Sequence, residues 1–171
     1  MLIMNLHINR IKKANQGGFT LIELLVVIGI LAILLAITLI ALNPNQHFQG
    51  ARNAQRSSNV SAILNAIYEY QAEHNGNLPA SVSGTIATPL PIGLDSTDPT
   101  TKINLCDVVP GYIADLPTDP DTTVSDVTGG ATPCDAATTD YDTGYTIVKT
   151  NGRFTISAPA TEGGTTISVT R

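Results

Sequence analysis

From Phe19 to Leu42 the chain runs for 24 residues with one charged side chain, Glu23. As a helix this stretch spans roughly 36 Å, against about 30 Å for the hydrocarbon core of a bilayer. A helix keeps its backbone hydrogen bonds internal, so it can cross lipid with a slight tilt. Arg10, Lys12 and Lys13 precede the run, and no basic residue follows before Arg52. That asymmetry places the amino terminus in the cytoplasm and the rest of the chain outside. A cleaved secretory signal has a shorter apolar region and a small-x-small cleavage site. Here the run leads into Asn43-Pro44-Asn45-Gln46 without an Ala-x-Ala triplet. A plain single-pass anchor accounts for the length but not for Glu23, because a carboxylate inside a bilayer costs roughly 2.5–3.5 kcal/mol. Nor does it account for the pair Gly17-Gly18 just before the run.

The segment Gly17-Gly18-Phe19-Thr20-Leu21-Ile22-Glu23-Leu24-Leu25-Val26-Val27-Ile28, behind its basic leader, resembles the processing site of type IV prepilins and type II secretion pseudopilins. The resemblance is close over about residues 10–42 and one of layout beyond them. It implies an α+β, pilin-like fold: a long amino-terminal helix, transmembrane in its first half, packed on a small antiparallel sheet. It implies a leader at 1–18, a transmembrane and filament-core segment at 19–42, an amphipathic helix at 43–76 and a head of loops and strands at 77–171. A prepilin peptidase is expected to cut between Gly18 and Phe19 and to N-methylate Phe19. Glu23, with Thr20 beside it, is expected to act in assembly by pairing with the terminal amine of a neighbouring subunit. Two opposite charges in a low-dielectric bundle are costly apart and attract strongly together. On a helix, Phe19 and Glu23 would share a face at i, i+4.

Pro44 is expected to break or loosen the helix near Leu42-Asn43-Pro44, with Gly50 a second weak point. Beyond it, Val60, Ile63, Leu64, Ile67 and Tyr70 follow helical spacing, leaving Asn59, Asn65, Glu69 and Glu73 opposite. Gly76 and Pro79 then stop the helix. Arg52 and Arg56 lie one turn apart, facing lipid headgroups, acidic neighbours or solvent. Pro79, Pro89, Pro91 and Pro99 make residues 77–105 read as irregular. Asn151-Gly152 is a strong two-residue hairpin signal, pairing Ile147 with Ile156 and Lys149 with Phe154. Tyr145, Ile147, Phe154 and Ile156 then share the side that can cover the helix, and Thr165–Thr170 offers a third strand.

The charge is unevenly placed. The first eighteen residues carry +3 and the remainder −8. So acidic a distal part argues against direct binding of nucleic acid. Asp119, Asp121, Asp140 and Asp142 are candidate ligands for Ca²⁺, since hard oxygen donors on a loop suit that ion. Leu116-Pro117-Thr118-Asp119-Pro120, followed by Gly144-Tyr145, resembles the setting of the calcium loop in major type II secretion pseudopilins. A solvated acidic loop is the other reading. Cys106 and Cys134 are either a disulfide, if this half is exported, or two unrelated thiols.

No enzyme is expected. His7, His47 and His74 lie in the leader and helical regions, and no His or Cys group has metal-ligand spacing. Without Trp, and with only Phe19, Phe48 and Phe154 as Phe, a deep aromatic pocket is not expected either. The reading is a filament subunit of the bacterial inner membrane, single-pass, later in a pilus at the cell surface or in a periplasmic pseudopilus. Its expected partners are prepilin peptidase, identical or related pilin subunits, the inner-membrane assembly platform and the lipid bilayer. The alternative is a monomeric, membrane-anchored extracytoplasmic protein that binds calcium or another ligand.

Overall fold

A computed structural model describes residues 18–42 and 44–171. The leader residues Arg10, Lys12, Lys13 and Gly17 lie outside the described residues, as does Asn43. The chain divides into two compact units, the second beginning at Pro44. In the first unit, helix α1 (Leu21–Leu42) is built from Leu, Ile, Val and Ala on every side. Such a helix has no polar face to offer water.

The second unit is an α+β head. Helix α2 spans Pro44–Glu73. Pro44 takes its first position, where the missing N–H is not needed. Gly50 lies within the helix, which continues through it, and is exposed. Five strands follow: β1 (Ile86–Leu94), β2 (Asp126–Thr128), β3 (Asp140–Thr150), β4 (Arg153–Ala158) and β5 (Ile167–Thr170). The sheet is antiparallel in the order β1-β3-β4-β5, with β2 also on β3.

The β3–β4 hairpin has the register the Asn-Gly turn predicts, with Ile147 opposite Ile156 and Lys149 opposite Phe154. Asn151 and Gly152 both have positive φ, 52° and 78°, as a tight hairpin turn of this twist requires. Tyr145, Ile147, Phe154 and Ile156 are buried against Val60, Ile63, Leu64 and Ile67 of α2. The stripe read from the helix and the face read from the hairpin are thus the two halves of one core.

Strand β1 corrects the sequence reading, which left 77–105 irregular. Its prolines are tolerated because β1 sits at the end of the strand order and its register with β3 slips between Ile86 and Leu90, around Pro89. Proline is confined to such edges and bulges because it cannot donate to a ladder. The outer side of β1 is secured by Ile103. Its N–H donates to Pro91 O and its carbonyl accepts from Gly93, both at 2.9 Å.

Cys106 and Cys134 are joined in a disulfide, 28 residues apart. A loop of that size stabilises by roughly 3 kcal/mol through restriction of the unfolded chain. Beside it Tyr141 is buried, its hydroxyl donating to Asn104 Oδ1 at 2.9 Å and accepting from Leu105 N–H at 3.2 Å. Burial pushes the Tyr141 phenol up to about 12.

Candidate processing and assembly site

The first unit carries the predicted processing residues. Gly18, Phe19 and Thr20 precede the helix and are exposed, Phe19 to 84%. Among the described residues nothing lies within 4 Å of where a Cβ on Gly18 would stand. Thr20 marks the start of α1. Its Oγ1 accepts from Glu23 N–H at 3.2 Å, satisfying a donor that the first turn leaves open. Thr20-Leu21-Ile22-Glu23 has the Thr-x-x-Glu form of a capping box.

This geometry corrects one expectation. Phe19 lies ahead of the helix, so it does not share a helical face with Glu23. The Thr20 cap sets the boundary between them. Glu23 remains the single acidic residue of the first helical turn, where the helix dipole favours a carboxylate. Around it Leu21, Ile22, Leu24 and Leu25 are all largely exposed.

In the head, the arginines predicted to lie near lipid or acidic neighbours are both engaged within the chain. Arg56 is fully buried and forms a bidentate ion pair with Asp119, Nε to Oδ2 at 2.7 Å and Nη2 to Oδ1 at 2.8 Å. Hydrogen bonding to Asp119 holds the guanidinium well above its ordinary pKa. Asn59, expected on the polar face, is buried as well. Its amide donates to Thr118 O at 3.1 Å and to the Tyr145 hydroxyl at 2.8 Å. Together Arg56 and Asn59 tie the loop at 118–121 to α2. Arg56 lies four residues before Val60 and seven before Ile63, on the buried stripe itself. That spacing was the signal that Arg56 faces inward, and a burial-prone arginine needs a carboxylate partner.

Arg52 pairs with Glu162 in the β4–β5 connection, Nε to Oε1 at 2.5 Å and Nη2 to Oε2 at 2.6 Å. Asn53 holds the same residue by its backbone, donating to Glu162 O at 2.8 Å and accepting from Glu162 N–H at 3.2 Å. The Arg52 hydrogen bonds hold the Glu162 carboxyl below the usual carboxylate range.

The four aspartates named as calcium ligands are otherwise occupied. Both Asp119 oxygens face the Arg56 guanidinium, and Oδ1 also accepts from Asp121 N–H at 2.8 Å. Asp121 Oδ1 holds the N–H and hydroxyl of Thr123. Asp140 accepts from Ser96 N–H at 2.7 Å. Asp142 faces Lys102 at 3.1 Å and accepts from Gly144 N–H at 2.9 Å. Among the described residues no three His, Cys, Asp or Glu side chains gather as metal ligands. A guanidinium already supplies positive charge beside Asp119. Gly144 serves packing there. It has φ +79°, and a Cβ on it would come within 2.8 Å of the Asp119 Cβ.

Residues 13–39 match the family model for the prokaryotic N-terminal methylation motif. Over 65 residues, 38% of its length, the chain is 37% identical to a ComG operon protein 3 homolog of Bacillus licheniformis. It spans 65% of that relative's length. No solved structure matches the chain. The chain therefore carries a prepilin-type methylation motif at its amino terminus, ahead of an α+β head.

Proposed function

We propose that this chain is a filament subunit, of a type IV pilus or a type II secretion-like pseudopilus, that is cut after Gly18, N-methylated on Phe19 and assembled through α1. The observation that carries this reading is the methylation motif at 13–39 on a membrane-length helix whose large apolar side chains are exposed among the described residues. Such a helix must be covered from outside, first by lipid and then by the helices of other subunits. Basic residues ahead of α1 and none before Arg52 support an orientation with the head outside the cell membrane. Glu23 supplies the registry. In an apolar bundle its carboxylate is stabilised by the new amine of a neighbouring Phe19, which fixes how far one helix slides along the next.

Co-expression with a prepilin peptidase tests the processing step. The mature chain should lack residues 1–18 and carry one added methyl group on Phe19, read by intact-mass and fragment spectra. An intact Gly18–Phe19 bond under those conditions overturns the reading. Glu23→Ala should be cleaved normally and should enter filaments poorly. Wild-type incorporation of that variant would remove the registry role.

A further inference from the structure

The sheet of the head is electrically polar along its longest strand. β3 runs eleven residues from Asp140 to Thr150, about 35 Å at the usual rise per residue. At its start stand Asp140 and Asp142, with Asp126 of β2 directly opposite Asp142. Asp135, in the connection between these strands, is exposed. Lys102 neutralises Asp142 at 3.1 Å, but Asp126 and Asp135 have no ion pair among the described residues. The segment 115–145 contains no Lys or Arg at all.

The far end of β3 gathers cations, with Glu69 exposed on the adjoining stretch of α2 where Asn65 and Tyr68 bond Arg171. Lys149 pairs with Phe154 across the hairpin, Arg153 with Thr150, and the backbone of Arg171 pairs with Phe154 at 3.0 and 3.1 Å. Arg52, Arg56 and Lys102 are taken up by carboxylates within the chain. Among the described residues Lys149, Arg153 and Arg171 are not. Lys149 donates to the Val82 and Ser83 carbonyls, Arg171 Nη1 to Asn65 Oδ1, and Arg153 is exposed. The cations left over in the head thus collect at one end of the sheet, and Asp126, Asp135 and Asp140 stand at the other.

We infer that the Lys149/Arg153/Arg171 end of one head docks on the Asp126/Asp135 end of the head of a second copy. Different surfaces meet in this contact, so it is heterologous. It leaves a free end of each kind and repeats without closing, as a filament requires. Exposed charges of this sort steer and orient partners more than they hold them, and they act over about 8 Å at physiological salt. The inference rests on the filament-subunit reading above and adds to it the surface by which heads find one another.

Charge exchange in the full chain, expressed with its peptidase and assembly machinery, tests this. Arg153→Glu should lower the yield of sheared filaments at least ten-fold. Adding Asp126→Arg to it should restore most of that yield. Both positions are exposed, and an unchanged Cys106–Cys134 bond reports that the variants fold. In filaments of Arg153→Lys, which keeps the charge, a zero-length carbodiimide should join position 153 to Asp126 or Asp135 of another copy. Wild-type yield from Arg153→Glu, loss without rescue, or cross-links that avoid both aspartates each overturn the contact. If the unaltered chain forms no filament at all, the failure belongs to the functional reading instead.

Discussion

Helices α1 and α2 use many of the same aliphatic residues and meet opposite fates. Ile63 and Ile67 of α2 are completely buried, whereas Ile33 and Ile37 of α1 keep 64% and 59% of their surface. α2 concentrates its apolar residues on one stripe, and the sheet supplies a matching face. α1 spreads them around its whole circumference, and no single sheet can cover a helix on all sides. The head therefore buries its own stripe, while α1 leaves its aliphatic side chains exposed among the described residues. Burial of an aliphatic side chain is a property of what lies opposite it, not of the residue alone.

The largest test of this contrast lies inside the head. Asp119→Ala removes the bidentate partner of the buried Arg56 guanidinium and leaves it Glu162 at 3.3 Å, which should cost about 3 kcal/mol. The unfolding midpoint of the detergent-solubilised chain should fall accordingly. Replacing both partners, Arg56→Met with Asp119→Leu, should recover much of the loss. A double variant as unstable as the single one would show that the pair is worth more than relief of an unpaired charge.

Comparable in size is one substitution made in both helices. Ile67→Ala opens a cavity under Phe154 and Ile156 and should cost the head about 2–5 kcal/mol. Ile33→Ala should leave the head's unfolding midpoint where it was, since Ile33 is 64% exposed and no cavity opens around it. Equal losses would break the distinction between a head that buries its own stripe and an exposed helix.

The smallest effect is one of pH. The folded pKa of Glu162 is lowered by Arg52, so its contribution is present above the unfolded carboxylate pKa of about 4.3 and fades as pH falls through the folded value. Thermal unfolding measured between about pH 6 and pH 3 should therefore show wild type above Glu162→Gln at the upper end and converging with it at the lower. No gap at any pH would mean the clasp of Glu162 on Arg52 and Asn53 is held by its backbone bonds alone.

What could be read in advance was local. The length and uniformity of Phe19–Leu42 follow from composition, the stripe of α2 from helical spacing, and the hairpin register from Asn151-Gly152. Each depends on residues a few positions apart, so pattern and geometry are linked without knowledge of the rest of the chain. The features that escaped depend on distant partners. β1 holds two prolines that argue against a strand until its end position, its slipped register and the support of Ile103 are known. β2 is three residues long in an acidic stretch and exists because β3 offers it an edge. Asn59 read as polar surface because its partners, Thr118 and Tyr145, lie far along the chain.

By itself, then, the sequence determined that this protein has a membrane-length helix with a processing motif at its start, followed by an amphipathic helix and a hairpin able to share a core. Only the tertiary structure decided what the charges do. Asp119 could have served a metal, solvent or a cation of the chain. The fold brings Arg56 beside it, 63 residues away in sequence, and removes both from water. The outcome follows because a buried charge must be matched at close range, and which opposite charge is close is set by how helix, loop and sheet come together rather than by any run of neighbouring residues.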